Sequence, residues 1–327
     1  MKETLNLVQQ CIDIEYSRLP RDAVDQAKYL LLDYLGVAAR GSLSDSGRAV
    51  QRMITRLGKE SRGAVVIGTD LKASPPNAAL ANGVAAHSIE LDDVVNEASL
   101  HPGVTVMSAA LAAGHRSGCS GKKFIESIIA GYETTIRLGI ALDPAAHYAQ
   151  GFHPTATCGT LGSAVTAAKI LGLNASEMAS SLGIAGSQAA GSMEFLTDGA
   201  LTKRFHAGWA ANSGLVAALL AREGFTGPKT IIEGKFGFLN AYSPKPDPDR
   251  LLKDWGRPLQ VLKTSIKPHS CCRYKQGPID GILRLMAENK LKPEDIESVT
   301  LGILNFESRL SSGRSSGRTK ESSPVHC

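Results

Sequence analysis

Large rings are scarce in this chain: aromatic residues make up 5% of 327 positions, against 43% hydrophobic residues and 33 glycines. That balance excludes a core of stacked rings and predicts helices in close contact through alanine and glycine. Metal-ligand spacing is missing too, since Cys11, Cys119, Cys158, Cys271, Cys272 and Cys327 form no C-x-x-C pair. His269-x-Cys271-Cys272 comes nearest, but adjacent cysteines are poorly placed for joint ligation and no second cluster completes a tetrahedron, so no metal is expected. The thiols read as buried or partly buried groups in a reducing compartment. Also absent is any long apolar run. Met1 is followed by Lys2-Glu3-Thr4 with no apolar signal region, and no stretch approaches membrane-spanning length, which predicts a cytoplasmic protein with no membrane partner. The formal net charge of +5 is spread along the chain, with one local basic cluster at the C-terminus, so no nucleic-acid partner is expected.

What is present points to helices. The length allows one large domain or two ordinary ones. Apolar spacing predicts helices over 22–39, 47–57, 77–87, 104–115 and 122–139, with a short strand or extended link at 64–68. Glu133 and Arg137, four apart, read as a surface pair contributing a few tenths of a kcal/mol. His147, in a polar connection, is expected to have no chemical duty.

The most informative stretch runs from Gly151 to Gly214. Gly151-Phe152-His153-Pro154-Thr155 places proline at a first helical position and His153 at the helix entrance, where exposed N–H groups and the helix dipole favour an anion. At its other end Thr202-Lys203-Arg204-Phe205-His206 leads into a helix of small residues. His101-Pro102-Gly103 repeats the His-Pro start, just after Ser88-Ile89-Glu90-Leu91-Asp92-Asp93, whose three carboxylates repel one another so that at least one is paired or has a raised pKa. Together these segments predict a pocket for a small carboxylate.

Past residue 228 a short helix is expected around 230–238 and another around 250–255. The pattern then changes to a strand at 259–267, a helix at 279–288 and a strand at 296–304, which places a domain boundary near 258. The last residues, rich in Ser, Gly and Arg, offer almost nothing apolar to bury and read as disordered. The expected division is an all-helical domain over 1–257, a partial α/β lid over 258–309 and a disordered tail over 310–327. The fold class is mainly α, with a large helical domain and a smaller, incomplete α/β lid.

These residues resemble the MmgE/PrpD family, which includes 2-methylcitrate dehydratase, cis-aconitate decarboxylase and iminodisuccinate epimerase. The resemblance runs to about residue 304. It is carried by Ala79-Leu80-Ala81-Asn82-Gly83 through Asp93, His101-Pro102-Gly103, Gly151 to Thr155, Lys203-Arg204-Phe205-His206-Ala207-Gly208, Gly224-Phe225-Thr226-Gly227-Pro228, Glu233-Gly234 and Lys267-Pro268-His269-Ser270-Cys271-Cys272-Arg273-Tyr274. It implies an active site between helical domain and lid, no metal or organic cofactor, a homodimer, and a small di- or tricarboxylate substrate. By position it implies catalytic His101, His153, Lys203 and Asp93, and substrate-binding Glu90, Asp92, Thr155, Arg204, Arg273 and Tyr274. Gln276 stands where relatives often have a histidine, and an amide cannot transfer a proton. Relatives also continue well past residue 304, so the tail here looks like the product of a frameshift or an early stop that leaves the lid incomplete. The leading expectation is a hydro-lyase like 2-methylcitrate dehydratase, working by histidine acid–base chemistry. Epimerisation of a small dicarboxylate, or an inactive shortened protein that only binds or dimerises, are the alternatives.

Overall fold

The structure, a computed structural model, describes residues 2–302 apart from the side chain of Arg116. The predicted tail at 310–327 and the end of the last predicted strand lie outside the described residues. Helices dominate. They are α1 (Glu3–Ile12), α2 (Arg21–Gly41), α3 (Asp45–Leu57), α4 (Pro75–Ala86), α5 (Gly103–Ser117), α6 (Gly121–Ala141), α7 (Pro144–Ala149), α8 (Pro154–Ile170), α9 (Ala175–Gly186), α10 (Phe195–Asp198), α11 (Thr202–Arg222), α12 (Phe238–Tyr242), α13 (Asp249–Leu252) and α14 (Gln276–Asn289). Local chemistry explains several of their starts. Ser44 and Ser120 accept backbone N–H bonds at the heads of α3 and α6, Asn174 and Glu177 form a reciprocal capping box on α9, and Pro154 opens α8.

The small-residue reading holds in detail. Every residue of α8 is buried, and the helix packs on α5, α6, α9 and α11. α4 lies against α11 so closely that a Cβ on Gly83 would stand 2.6 Å from the Gly208 Cα, and one on Gly208 would stand 2.3 Å from the Leu80 carbonyl oxygen. Each buried methyl contributes only about 0.8 kcal/mol. Cohesion therefore comes from many short contacts rather than from a few large side chains.

Several expectations need correction. Only Ala64–Val65 of the 64–68 stretch is strand (β1), paired antiparallel with Lys72–Ala73 (β2). The strand predicted at 259–267 is instead a 3-10 turn, Gln260–Lys263, followed by a single bridge from Ser265 to Val94. Leu259 and Val261 are buried against the helical body, and the Gln260 N–H is donated to the Glu133 carboxylate rather than to a neighbouring strand. Residues 296–302 have no regular structure, so among the described residues the lid has no sheet. The expected helix at 230–238 is a run of turns, with α12 following it.

Glu133 and Arg137 are not at the surface. Both are buried, with Arg137 Nε 2.7 Å from the Glu133 carboxylate, its guanidinium donating to the Leu251 and Lys253 carbonyls and lying over the Trp255 ring. An i,i+4 spacing looks the same on a solvated face as on a buried one, which is why sequence alone misplaced the pair. Among the described residues no helix is long and apolar enough to cross a membrane.

Candidate active site

One cavity, about 660 Å³ counting its open mouth, receives His101, His153, Lys203, Arg273 and Tyr274. Met193, Phe195 and Leu196 supply an apolar wall, and Asn96, Ser99 and Tyr148 add polar groups. His153 is the N-cap of α8, Lys203 lies in the first turn of α11, and His101 leads into α5. Three helix entrances thus converge on one space, and the N-terminal ends of their dipoles favour negative charge there.

The His101 ring has a defined tautomer. Its Nδ1 is 2.6 Å from the Asp93 carbonyl oxygen, which can only accept, so Nδ1 carries the proton and Nε2 the lone pair. The backbone N–H of His101 donates to Thr155 Oγ1 at 3.1 Å. Burial pushes the His101 pKa down to about 3, although Asp92 opposes the shift. His153 is buried as well. Burial, with His87, His206 and Lys203 nearby, holds it well below the usual imidazole range. Its Nδ1 is 3.3 Å from His206 Nδ1.

The acidic run divides by direction. Glu90, with a backbone φ of 56°, turns its carboxylate onto Lys203 Nζ at 2.7 and 2.8 Å. Burial alone would raise its pKa, but Lys203 outweighs that and brings it to about 2. Asp92 is buried between the Nδ1 atoms of His87 and His101, at 2.8 and 3.3 Å, with Lys267 Nζ at 3.6 Å. Those cationic and donor groups overcome the burial penalty and keep it well below the carboxylate range. Asp93 points the other way. It accepts from Tyr132 Oη at 2.6 Å and from the Gly103 N–H at 3.0 Å, and burial raises its pKa to about 7.

The Asp93 side chain secures the start of α5 and is not among the residues that line the cavity. Glu90, Asp92 and Thr155 also lie outside the cavity lining, where they hold Lys203, His101 and the α8 entrance in place. Arg204 is buried on α11 but does not line the cavity either. His147, for which no chemical duty is expected, is buried; it donates Nδ1–H to the Tyr242 carbonyl at 2.7 Å and meets Thr157 Oγ1 at 3.0 Å, which fixes α7 to α8 and α12.

Two residues with no expected role support the site from behind its lining. Lys267 donates to the Glu90 carbonyl oxygen at 3.0 Å and faces Asp92, so it joins the segment after residue 258 to the acidic run. His87 caps α4, and its ring lies 5.3 Å from His101 and 5.7 Å from His153, centroid to centroid. The position of His87 five residues before Asp92, at the end of an alanine helix, was the available signal. Gln276 has a structural use. Its amide nitrogen donates to the His269 and Cys271 carbonyls while its oxygen accepts the His269 N–H, which closes the loop carrying Cys272 and Arg273. His269 itself is directed to Asp280, 2.7 Å away.

A body of small-residue helices whose entrances carry two imidazoles and a lysine into one cavity defines the class. The chain belongs to the MmgE/PrpD family, whose N-terminal domain it matches over residues 6–251. Among curated proteins it is similar to the cis-aconitate decarboxylase-like protein oryM of Aspergillus oryzae, with 31% identity over 296 residues covering 86% of this chain and 61% of that protein. It is also similar to the cis-aconitate decarboxylases of Aspergillus terreus (32% identity, 82% of this chain, 56% of the relative) and Homo sapiens (30% identity, 90% and 63%). The chain thus spans about three-fifths of the length of the curated relatives it matches.

Proposed function

We propose that this chain builds the helical side of an active site for a lyase acting on a small tricarboxylate of the cis-aconitate kind. The observation that carries the reading is the meeting of His101, His153, Lys203 and Arg273 in one cavity with an apolar wall. Lys203 and Arg273 suit carboxylate binding, Arg273 being already oriented by Asn96 at 3.0 Å. The relatives' names favour decarboxylation. In an unsaturated tricarboxylate the C–CO2 bond breaks, its electrons form a new C=C bond, and the old double-bond pair moves to the far carbon. That carbon takes one proton, and CO2 leaves. The developing negative charge spreads onto the neighbouring carboxylate, where Lys203 stabilises it, and His153 is the proton donor in this assignment.

Dehydration of a 2-methylcitrate-like acid is the second reading. It is favoured by the lone pair fixed on His101 Nε2, since elimination needs a base to take a C–H proton. The homodimer belongs to the same proposal, supported by Phe205 and Trp209, which stack 5.6 Å apart on a partly exposed face of α11.

Incubation with cis-aconitate, followed by proton NMR and CO2 release, tests the first reading; loss of water from citrate-type acids, read by ultraviolet absorbance, tests the second. Changing optical rotation with neither would indicate epimerisation instead. Should calorimetry show tricarboxylate binding unaffected by His153→Ala and Lys203→Ala, the cavity is not the binding site.

A further inference from the structure

His206 lies outside the set of residues given a role above, yet it comes within hydrogen-bond reach of His153. Their Nδ1 atoms are 3.3 Å apart and their ring centroids 5.5 Å apart, and Phe195 stands edge-on to both rings. The backbone favours this approach. The His153 N–H is donated to the Gly191 carbonyl at 2.9 Å, and Gly191 has φ of 143°. A Cβ there would press within 2.7 Å of the Ala156 Cβ and stand 3.5 Å from His206 Nδ1. Glycine at 191 thus leaves room for the two rings to meet.

A hydrogen bond between two Nδ1 atoms needs one proton, held by one ring and accepted by the other. When His153 holds it, His153 presents a bare Nε2 to the cavity. When His206 holds it, His153 must carry its proton on Nε2 and faces the cavity as a donor. We propose that His206 is a positioning residue that sets the tautomer of His153, and that binding of an anionic tricarboxylate selects the state with N–H toward the cavity by drawing the shared proton onto His206. The inference deepens the function proposed above and rests on it for the identity of the ligand.

The pairing has a physical advantage. His153 is 4% exposed, whereas His206 is only partly buried. The exchange balances when His153 passes its Nδ1 proton to His206 Nδ1 and takes one from solvent at Nε2, while the partly exposed His206 releases its own Nε2 proton to solvent. Both rings stay neutral, so no full positive charge falls on the more deeply buried ring, where burial disfavours it.

Nitrogen-15 NMR of the histidine side chains in the full chain reads the tautomers directly, with resonances assigned from His153→Gln and His206→Asn. At neutral pH one Nδ1 of the pair is expected to be protonated and the other bare. Addition of tricarballylate, a saturated tricarboxylate that cannot be turned over by decarboxylation through a double bond, should shift His153 toward the Nε2–H form. Both Nδ1 atoms bare, or both protonated, in the wild-type protein overturns the proposal with no variant needed. His206→Phe, which keeps a ring beside Phe195, should remove the preference of His153 for one tautomer and lower kcat at least tenfold with KM within twofold; His206→Asn, which retains a donor and an acceptor, should restore most of the rate. A His153 spectrum identical in wild type and His206→Phe also overturns it. The NMR outcome stands whether or not cis-aconitate is consumed, so failure of the proposed reaction and failure of the pairing are separable.

Discussion

Helices α8 and α14 are of similar length but opposite character. All of α8 is buried, although its residues are mostly alanine, threonine, glycine and serine and it has no pronounced apolar stripe. α14 carries an apolar series including Ile279, Leu283 and Met286, yet only Gln276 is buried and Leu283 and Leu285 are more than half exposed. A helix's own pattern does not decide its burial. Small residues let neighbours close in from every side, whereas larger apolar side chains help only where another surface meets them. The division extends to the cavity. Its imidazoles and Lys203 are held by the close-packed body, while Arg273 and Tyr274 come from the thinly packed segment, joined to the body by Lys267 and by the Ser270 hydroxyl, which donates to the Ile89 carbonyl.

The sharpest way to stress the body is at the ion pair between Lys203 and Glu90. In Lys203→Met the Glu90 carboxylate loses its partner at 2.7 Å while remaining mostly buried. Breaking such a pair should cost roughly 3 kcal/mol, read by urea unfolding at pH 7, and abolish carboxylate binding. Adding Glu90→Gln should recover most of the stability and none of the binding. The sign with pH follows from the depressed Glu90 value of about 2: its contribution is present above the unfolded value of 4.5 and is lost as pH falls toward 2. A single variant within 0.5 kcal/mol of wild type would show that the pair is solvated and the body looser than described.

Gly208→Ala probes the close-packed body without touching charge. The added methyl meets the Leu80 carbonyl oxygen at 2.3 Å, which is backbone and cannot rotate away. The helices α4 and α11 must separate, at a cost of about 2 kcal/mol. A smaller effect, of opposite origin, is expected from Asp93→Asn. The raised Asp93 value of about 7 means that the folded chain keeps its proton where the unfolded chain has lost it, so this group makes stability fall as pH rises from 3.8 through 7. Relative to wild type, Asp93→Asn should gain about 1 kcal/mol in thermal unfolding at pH 6 compared with pH 5. No difference between the two pH values would mean that Asp93 ionises freely and does not secure α5 in the manner described.

Sequence reading succeeded where the signal was local. Alanine spacing, the two His-Pro starts and the Pro154 position located the helices and brought His101, His153 and Lys203 into consideration together, because each sits at a helix entrance. It failed where the decisive partner was distant. Asp92 and Asp93 are adjacent and chemically alike, yet one faces the imidazoles and the other faces Tyr132, a division set by the tertiary neighbours rather than by the residues themselves. The alternating pattern at 259–267 suits a strand, but the buried Glu133 carboxylate captures the Gln260 N–H and the chain turns. Lys267 and His87 both lie within the stretches that carry the resemblance, yet the resemblance assigns neither a role. They matter because folding brings them to Asp92, from 175 positions downstream and five upstream respectively.

The smallest expected effect separates the two regions most cleanly, because it applies the same chemical change as Gly208→Ala. Gly281 lies in the middle of α14, and a Cβ built there meets nothing within 4 Å. Its cost to the helix is therefore the conformational freedom it loses on folding, with no close approach in return. Gly281→Ala should stabilise α14 by about 0.5–1 kcal/mol. Hydrogen exchange gives the local readout: amides of α14 should slow while those of α8 stay unchanged, since the added methyl reaches no other helix. If Gly281→Ala instead lowers stability as Gly208→Ala is expected to, then α14 is pressed against a surface beyond the described residues, and the contrast between a close-packed body and a thinly packed lid segment does not hold for the full chain.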